Sequence, residues 1–380
     1  MAEIAKEKLI AMVRYLTGIL RTMQYDTPLP ELPEGVSFRN IYTLAKHHAL
    51  SGLIFNYIEN DVRATGDERL ISLFERDRAI AAAKHTVQTV EFSRLTDLFT
   101  KEKIRFLPMK GFVFGELWKK PEYRVMSDID FCFDRESVKK VAELLINMGY
   151  KPEIIEDNIH DTFDKPPYLH VEAHKALRVD CDDGFDDWIR REDNPFWYEL
   201  SPTDFVVFNV AHMYKHYSQS GGTGVRNFFD LHLYMRAYNG EILYKEVVKR
   251  LKSEGMEDFW YKVLRLSEVW FSDGEDFTSD DEMQKFEYFI AAGGSYGTVE
   301  SGLEMRIKNK NGAFRYFLSR MFLPSVHMKK LYPWLNKMPF LLPVAHVVRW
   351  TRAIFNGRMK KELKEMKNVK NIKKERSENA

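Results

Sequence analysis

Asp128 and Asp130 stand one isoleucine apart inside an apolar run that ends at Phe133. Along an extended strand alternate side chains share a face, so both carboxylates fall on one side and Ile129, Phe131 and Phe133 on the other. Aspartate is depleted in strands, and two like charges held this close raise one another's cost unless a cation lies between them. Oxygen-only ligands favour Mg²⁺, so the pair is a candidate metal site beside a cleft. The stretch leading into it, FLPMKGFVFGELWKKPEYRVMSDIDFCF over 106–133, also sets Lys110-Gly111 at the end of an apolar run.

Such residues need a sheet to hold them. Periodicity predicts strands over 104–109, 128–133, 150–155 and 168–174, with a further one at 178–181, and helices over 111–118 and 137–148. Upstream, Leu9, Ile10, Val13, Leu16 and Leu20 recur at helical spacing and predict a helix over 4–20. After the Pro and Gly cluster at 27–35, helices follow over 38–57 and from 68 towards 100. His47, His48 and His85 fall in these helices and read as satisfied core or surface residues rather than ligands. Downstream, Ser201-Pro202-Thr203-Asp204 is a good helix start, which predicts helices over 203–219, 225–238, 244–253 and 258–271.

Composition bounds the function classes. A length of 380 residues, 44% of them hydrophobic, accommodates two or three domains with packed cores. Lys plus Arg total 57 against 56 for Asp plus Glu, a formal charge of +1, so no global field points to nucleic acid or an acidic partner. Cys132 and Cys181 are the only cysteines; they build no disulfide framework and fit a reducing compartment. The N-terminus places acids ahead of its apolar residues and does not read as a signal peptide. No apolar run reaches membrane-spanning length, and a cytoplasmic location is the default expectation.

The order of motifs carries a resemblance. Met109-Lys110-Gly111, then Arg124-Val125-Met126-Ser127-Asp128-Ile129-Asp130, Glu172-Ala173-His174, the block from Ala211 through His212 and Lys215 to His216, and Val225-Arg226-Asn227-Phe228-Phe229-Asp230 follow one another. This set, over roughly residues 80 to 240, resembles the bacterial, largely uncharacterised nucleotidyltransferase family of the DNA polymerase beta-type superfamily. The resemblance implies an α+β fold, a small mixed-sheet nucleotidyltransferase core flanked by helical regions. The expected division is an N-terminal helical region at 1–84, the core at 85–200, a helical domain packing on it at 201–290, and a C-terminal helical region with a basic tail at 291–380.

The resemblance also implies roles. Asp128 and Asp130 would hold Mg²⁺ or Mn²⁺, with a third carboxylate from Glu172 or, as runner-up, Asp180. The reaction would move a nucleoside monophosphate from a nucleoside triphosphate, ATP among them, to a hydroxyl of a sugar, small molecule, protein or RNA end, releasing pyrophosphate. The superfamily's phosphate loop places Gly-Ser or Gly-Gly before its short helix, whereas this chain has Gly111-Phe112. Lys110, the free N–H groups at Gly111, Ser127 and Arg124 are the substitutes, through point charge and helix dipole. Phe112 leaves open an alternative, an inactive member that serves as a nucleotide-binding or protein-interaction module.

Further along, His212, Lys215 and His216 share a helix face; with His174, Arg226 and Asp230 they are pocket candidates, the other reading being an ion pair between Arg226 and Asp230. Zinc would need more ligands than this block offers, and cysteine supplies none. The Gly-rich segment 291–297 lacks the P-loop ending and reads as a flexible connection. The Lys-rich segment 358–376 reads as a solvated, partly disordered helix end, with an anionic membrane surface or RNA as possible contacts.

Overall fold

Phe131 and Phe133 of one strand meet Phe99 and Leu95 of a long helix, and the protein's central core grows from that contact. The computed structural model describes residues 6–154, 160–177, 188–272, 280–295, 297, 302 and 322–355. Backbone contacts divide the chain into two compact units, Met1–Tyr214 with Gly224–Ser295, and Lys215–Thr223 with Tyr296–Ala380. The architecture is mixed α+β.

In the first unit, helices α1 (Lys6–Tyr25), α2 (Phe38–His47), α3 (Ser51–Ala64) and α4 (Glu68–Lys101) precede the sheet. Ser37 and Asn40 form a capping box at the start of α2, and the Asp67 carboxylate accepts from the Leu70 N–H at the start of α4, satisfying amide groups that a helix leaves open. The single helix expected over 38–57 is two. The chain turns at Ala49, with φ 57°, and the reason lies in His48. Its Nδ1 accepts from the Val225 N–H at 3.2 Å and its Nε2 donates to the Ala291 carbonyl at 3.1 Å. The buried ring thus fastens this turn to the ends of two later helices, and it is a satisfied core residue.

Strands β1 (Phe106–Pro108), β2 (Ile129–Phe133), β3 (Lys151–Ile154), β4 (His160–Lys165) and β5 (Leu169–His174) make, among the described residues, a five-stranded sheet in the order β1-β2-β5-β4-β3. β2 and β5 run parallel, and the other neighbours are antiparallel. Helix α5 (Gly111–Gly115) lies between β1 and β2, and α6 (Val138–Asn147) between β2 and β3. The C-terminal half of α4, with α6, covers the face that carries Ile129, Phe131, Phe133 and Val171. Alternation sends Asp130, Glu172 and His174 to the other face. β4 was not expected, since HDTFDK offers little apolar alternation; it forms because each of its residues pairs with β5. The strand expected at 178–181 lies outside the described residues. A two-stranded ribbon, β6 (Ile189–Arg190) with β7 (Tyr198–Glu199), follows.

Helices α7 (Pro202–Lys215), α8 (Val225–Ala237), α9 (Tyr244–Ser253), α10 (Glu257–Phe271) and α11 (Asp281–Gly293) come next. The helix expected to run to 219 becomes a π turn, His216–Ser220. α11 ends within the segment expected to be a flexible connection, and Asp280 caps its start by accepting from the Glu282 and Met283 N–H groups. Buried Glu287 on α11 accepts from both Arg14 and Trp270, each at 2.9 Å, and so joins α1, α10 and α11. In the second unit α12 (Ser325–Leu331) and α13 (Leu342–Phe355) pack Met328, Tyr332, Leu335 and Ala345 into a small core of their own. No helix among the described residues is long and apolar enough to cross a membrane.

The loop before β2 is fixed to α8 by a buried ion pair. Arg124 Nε and Nη2 reach the two oxygens of Asp230 at 2.9 and 2.8 Å, and Trp118 Nε1 donates to the same carboxylate at 2.8 Å. Removing one partner strands a buried charge, so Asp230→Ala is expected to cost about 3–5 kcal/mol in chemical denaturation; a loss below 1 kcal/mol would mean the pair is solvated. His48 gives a pH dependence. Burial pushes its pKa from 6.5 down to about 4, against the hydrogen bond to Ala291. Between those values the unfolded chain binds the proton and the folded one does not, so stability falls as pH drops from 6.5 towards 4. Unfolding free energies at pH 7 and 4.5 should differ by roughly 2–3 kcal/mol more in the parent than in His48→Gln; equal differences would exclude this role.

Candidate active site

The parallel register of β2 and β5 puts Asp130 directly beside Glu172. Asp128 lies two residues before Asp130, on the same side, and one oxygen from each of the three carboxylates lies within 4.8 Å of the others. Glu172 is therefore the third acid of the group, and Asp180 lies outside the described residues. Cations oppose the acids from two directions. Lys110 Nζ stands 3.4 Å from Asp130 Oδ2. His174 Nε2 donates to Asp130 Oδ1 at 3.2 Å and to Glu172 Oε2 at 3.1 Å.

The electrostatics follow from burial and these neighbours. Burial alone would raise Asp130, but Lys110 and the hydrogen bond from His174 hold its carboxyl well below the usual carboxylate range. Asp128 is pushed up to about 6, by burial first and by the charge of Asp130 second, against the pull of Lys110. Burial opposes the charge on Lys110 and His174 too, yet the acids raise both. The site therefore keeps Asp130 ionised while charge on Asp128 stays costly, and a donor set of carboxylate oxygens suits a hard divalent cation at that point. The group His160, Glu172 and His174 also lies within ligand distance, His160 being the cross-strand partner of His174.

The Lys-Gly motif works differently from its sequence reading. Lys110 has φ 42° and ψ −87°, a backbone state that L residues seldom adopt and that turns tight corners at functional sites. α5 spans five residues rather than 111–118, so it carries little of a full helix's dipole. At Gly111 a Cβ would come within 2.7 Å of the Met126 sulfur, so glycine is needed for packing against the loop that precedes Asp128. Phe112 stacks on Phe92 with ring centroids 3.7 Å apart, and Phe92 stacks on Phe131. Its bulk goes to the core side of the sheet.

Arg124 was expected to meet phosphate. Its guanidinium is instead committed to Asp230 and, through Nη1, to the Gly111 carbonyl at 2.9 Å. The pair expected between Arg226 and Asp230 is accordingly replaced by Arg124 with Asp230. Arg226, in the first turn of α8, donates to the Val125 carbonyl and its charge acts on Asp128. Ser127 presents its carbonyl to Lys84 Nζ at 3.5 Å. His212 lies on α7 beside the Phe208 ring, while Lys215 and His216 belong to the second unit. None of the metal-type groups among the described residues contains His212 or His216.

Sequence reasoning missed Lys84 and Gln88. Lys84 on α4 is half-buried, and its charge interacts with those of Asp128 and Arg226. One turn on, Gln88 donates to the Met126 and Tyr168 carbonyls and holds the loops before β2 and β5. The available signal was a polar stripe: Lys84, Gln88 and Glu91 recur at helical spacing where the stripe leads to buried Leu95, and a polar residue on a core-facing helix face needs a reason.

Two solved structures show similarity: the lincomycin-bound lincosamide antibiotic adenylyltransferase LnuA, at 18% identity and TM-score 0.30, covering 38% of this chain and 94% of that one; and the Megavirus polyadenylate synthase, at 11% identity and TM-score 0.30, covering 57% and 40%. Neither likeness is close enough to carry an argument. No curated protein matched the chain. Residues 34–272, more than half of the sequence and the whole of the acid cluster, match one family model, and the chain belongs to the uncharacterised nucleotidyltransferase family.

Proposed function

We propose that the protein is a Mg²⁺-dependent nucleotidyltransferase that moves a nucleoside monophosphate from a nucleoside triphosphate to a hydroxyl acceptor. The carrying observation is the cluster of Asp128, Asp130 and Glu172, gathered by two parallel strands with their oxygens within 4.8 Å of one another. The acceptor oxygen bonds to the α-phosphorus, the bond to the bridging oxygen breaks, pyrophosphate leaves and the hydroxyl proton is released. Mg²⁺, or Mn²⁺, held by the three carboxylates would neutralise charge developing on the phosphoryl oxygens.

The chain's own residues divide the remaining work. His174 holds Asp130 and Glu172 in one orientation by donating to both. Lys110, Lys84 and Arg226 are the cations around Asp128, and in this reading they meet the triphosphate as point charges and, for Arg226, as a planar fork. Arg124 acts at one remove, by fixing the loop that bears Ser127 and Asp128. Phe112, the feature behind the alternative of an inactive member, packs on Phe92 and leaves the acid face clear.

Incubation with Mg²⁺ and each α-labelled nucleoside triphosphate in a cell extract should transfer label to an acceptor. Asp128→Ala with Asp130→Ala should reduce transfer by about a hundredfold or more while the thermal transition persists; undiminished labelling in a folded double variant would overturn the assignment. For Lys84→Ala, KM for the nucleotide should rise about tenfold with a smaller change in kcat, the size of one lost charge-assisted contact. An unchanged KM would remove Lys84 from the phosphate site.

A further inference from the structure

Beside the three carboxylates the sheet gathers a second set of ligand atoms. β4 and β5 pair so that His160 stands opposite His174, and the two rings lie 5.0 Å apart, centroid to centroid. Glu172, two residues before His174, shares its face of β5. One ligand atom from each of His160, Glu172 and His174 lies within 4.8 Å of the others.

His174 is the informative member, being only 7% exposed. Its Nε2 donates to Asp130 and Glu172, while its Nδ1 is buried and has no hydrogen-bond partner among the described residues. A polar atom left bare in a dry setting is costly. Ion pairing with the acids accounts for Nε2 and leaves Nδ1 without a purpose. Metal-bound imidazoles are held in this manner, one nitrogen donating to a carboxylate and the other free for the ion.

The donor set selects the ion. Mg²⁺ takes oxygen ligands, so it suits the all-carboxylate group of Asp128, Asp130 and Glu172. Two imidazoles with one carboxylate suit a transition-metal ion such as Zn²⁺, Fe²⁺ or Co²⁺. Three protein ligands leave that ion an open position, which water or a phosphate oxygen can fill. Glu172 belongs to both groups, so ions bound in the two places would share a carboxylate.

We propose that His160, Glu172 and His174 form a transition-metal site that adjoins the carboxylate site and differs from it in the ions it accepts. A neutral His174 still donates from Nε2, so the acids keep their orientation while the ion supplies the positive charge. The proposal does not rest on nucleotidyl transfer, and its test needs no nucleotide.

The full chain, stripped with a chelator, is titrated with Co²⁺ in excess Mg²⁺, which occupies the carboxylate group, and visible absorption reports nitrogen ligation of the cobalt. Saturable binding to a single site is expected, with Zn²⁺ displacing the cobalt. His160→Ala and His160→Gln should each weaken it about tenfold or more at an unchanged thermal transition. Because a histidine pair elsewhere can take up such ions, His212→Ala with His216→Ala is the control and should bind as the parent does. Failure of the parent to bind Co²⁺ overturns the proposal, as does binding equal to the parent's in either folded His160 variant. Loss of the cobalt signal in the His212 and His216 variant alone would overturn it too, by placing the ion on α7 and the turn that follows.

Discussion

Three carboxylates share a face of the sheet because β2 and β5 run parallel and in a register that sets Asp130 beside Glu172. That placement is unfavourable by itself, since like charges at this separation in a partly dry setting repel strongly. The surroundings are organised as its answer. Lys110 is held in a strained backbone state beside Asp130, and His174 lies between Asp130 and Glu172 as a donor to both. The opposite face carries the cost of holding the strands together: Phe99, Phe131, Phe133 and Phe163 pack there without exposure. A slip of one residue would exchange the two faces and put the acids into that core, so hydrophobic burial enforces the register on which the acid cluster depends.

The loop between α5 and β2 shows a second level of the same design. Its position rests on Arg124, whose guanidinium reaches Asp230 and the Gly111 carbonyl at once, and on Gln88, which donates to Met126. Gly111 then allows Met126 to close against the α5 turn. Ser127 and Asp128 therefore leave a segment pinned from three sides. Arg124 and Asp230 are over a hundred residues apart in sequence, yet together they decide where Asp128 stands. Buried pairs of this kind are weak sources of net stability and strong determinants of geometry.

Much of this was legible in the sequence, and the limits have physical causes. The helices α1, α4, α6, α8, α9 and α10 were legible from their apolar periodicity, α7 from its Ser201-Pro202-Thr203-Asp204 start, and β2 and β5 from alternation. Asp128, Asp130, Glu172 and Lys110 come together where their motif order implied. β4 escaped because a strand paired on both sides can be specified by its neighbours' hydrogen bonds rather than by its own pattern. The break at Ala49 escaped because its cause is a contact from His48 to residues far along the chain. Arg124 was misread for a related reason: a cation close to acids in sequence looks like a ligand for phosphate until its buried partner, Asp230, is placed. Composition and spacing report which groups are near in sequence, and they are silent on which distant group has already claimed them.

The charge balance at the acid cluster then links structure to the proposed chemistry. Three acids face Lys110 and His174, with Lys84 and Arg226 acting on Asp128. Asp128 is left with a pKa of about 6 because those cations do not fully offset burial and Asp130. In the proposed reading, a divalent cation held by the three carboxylates would relieve that remaining repulsion, and Lys84 and Arg226 would then be the positive groups nearest a triphosphate. On that reading the acids and the bases around them suit the two halves of a metal–nucleotide complex, the acids meeting the metal and the bases the phosphates.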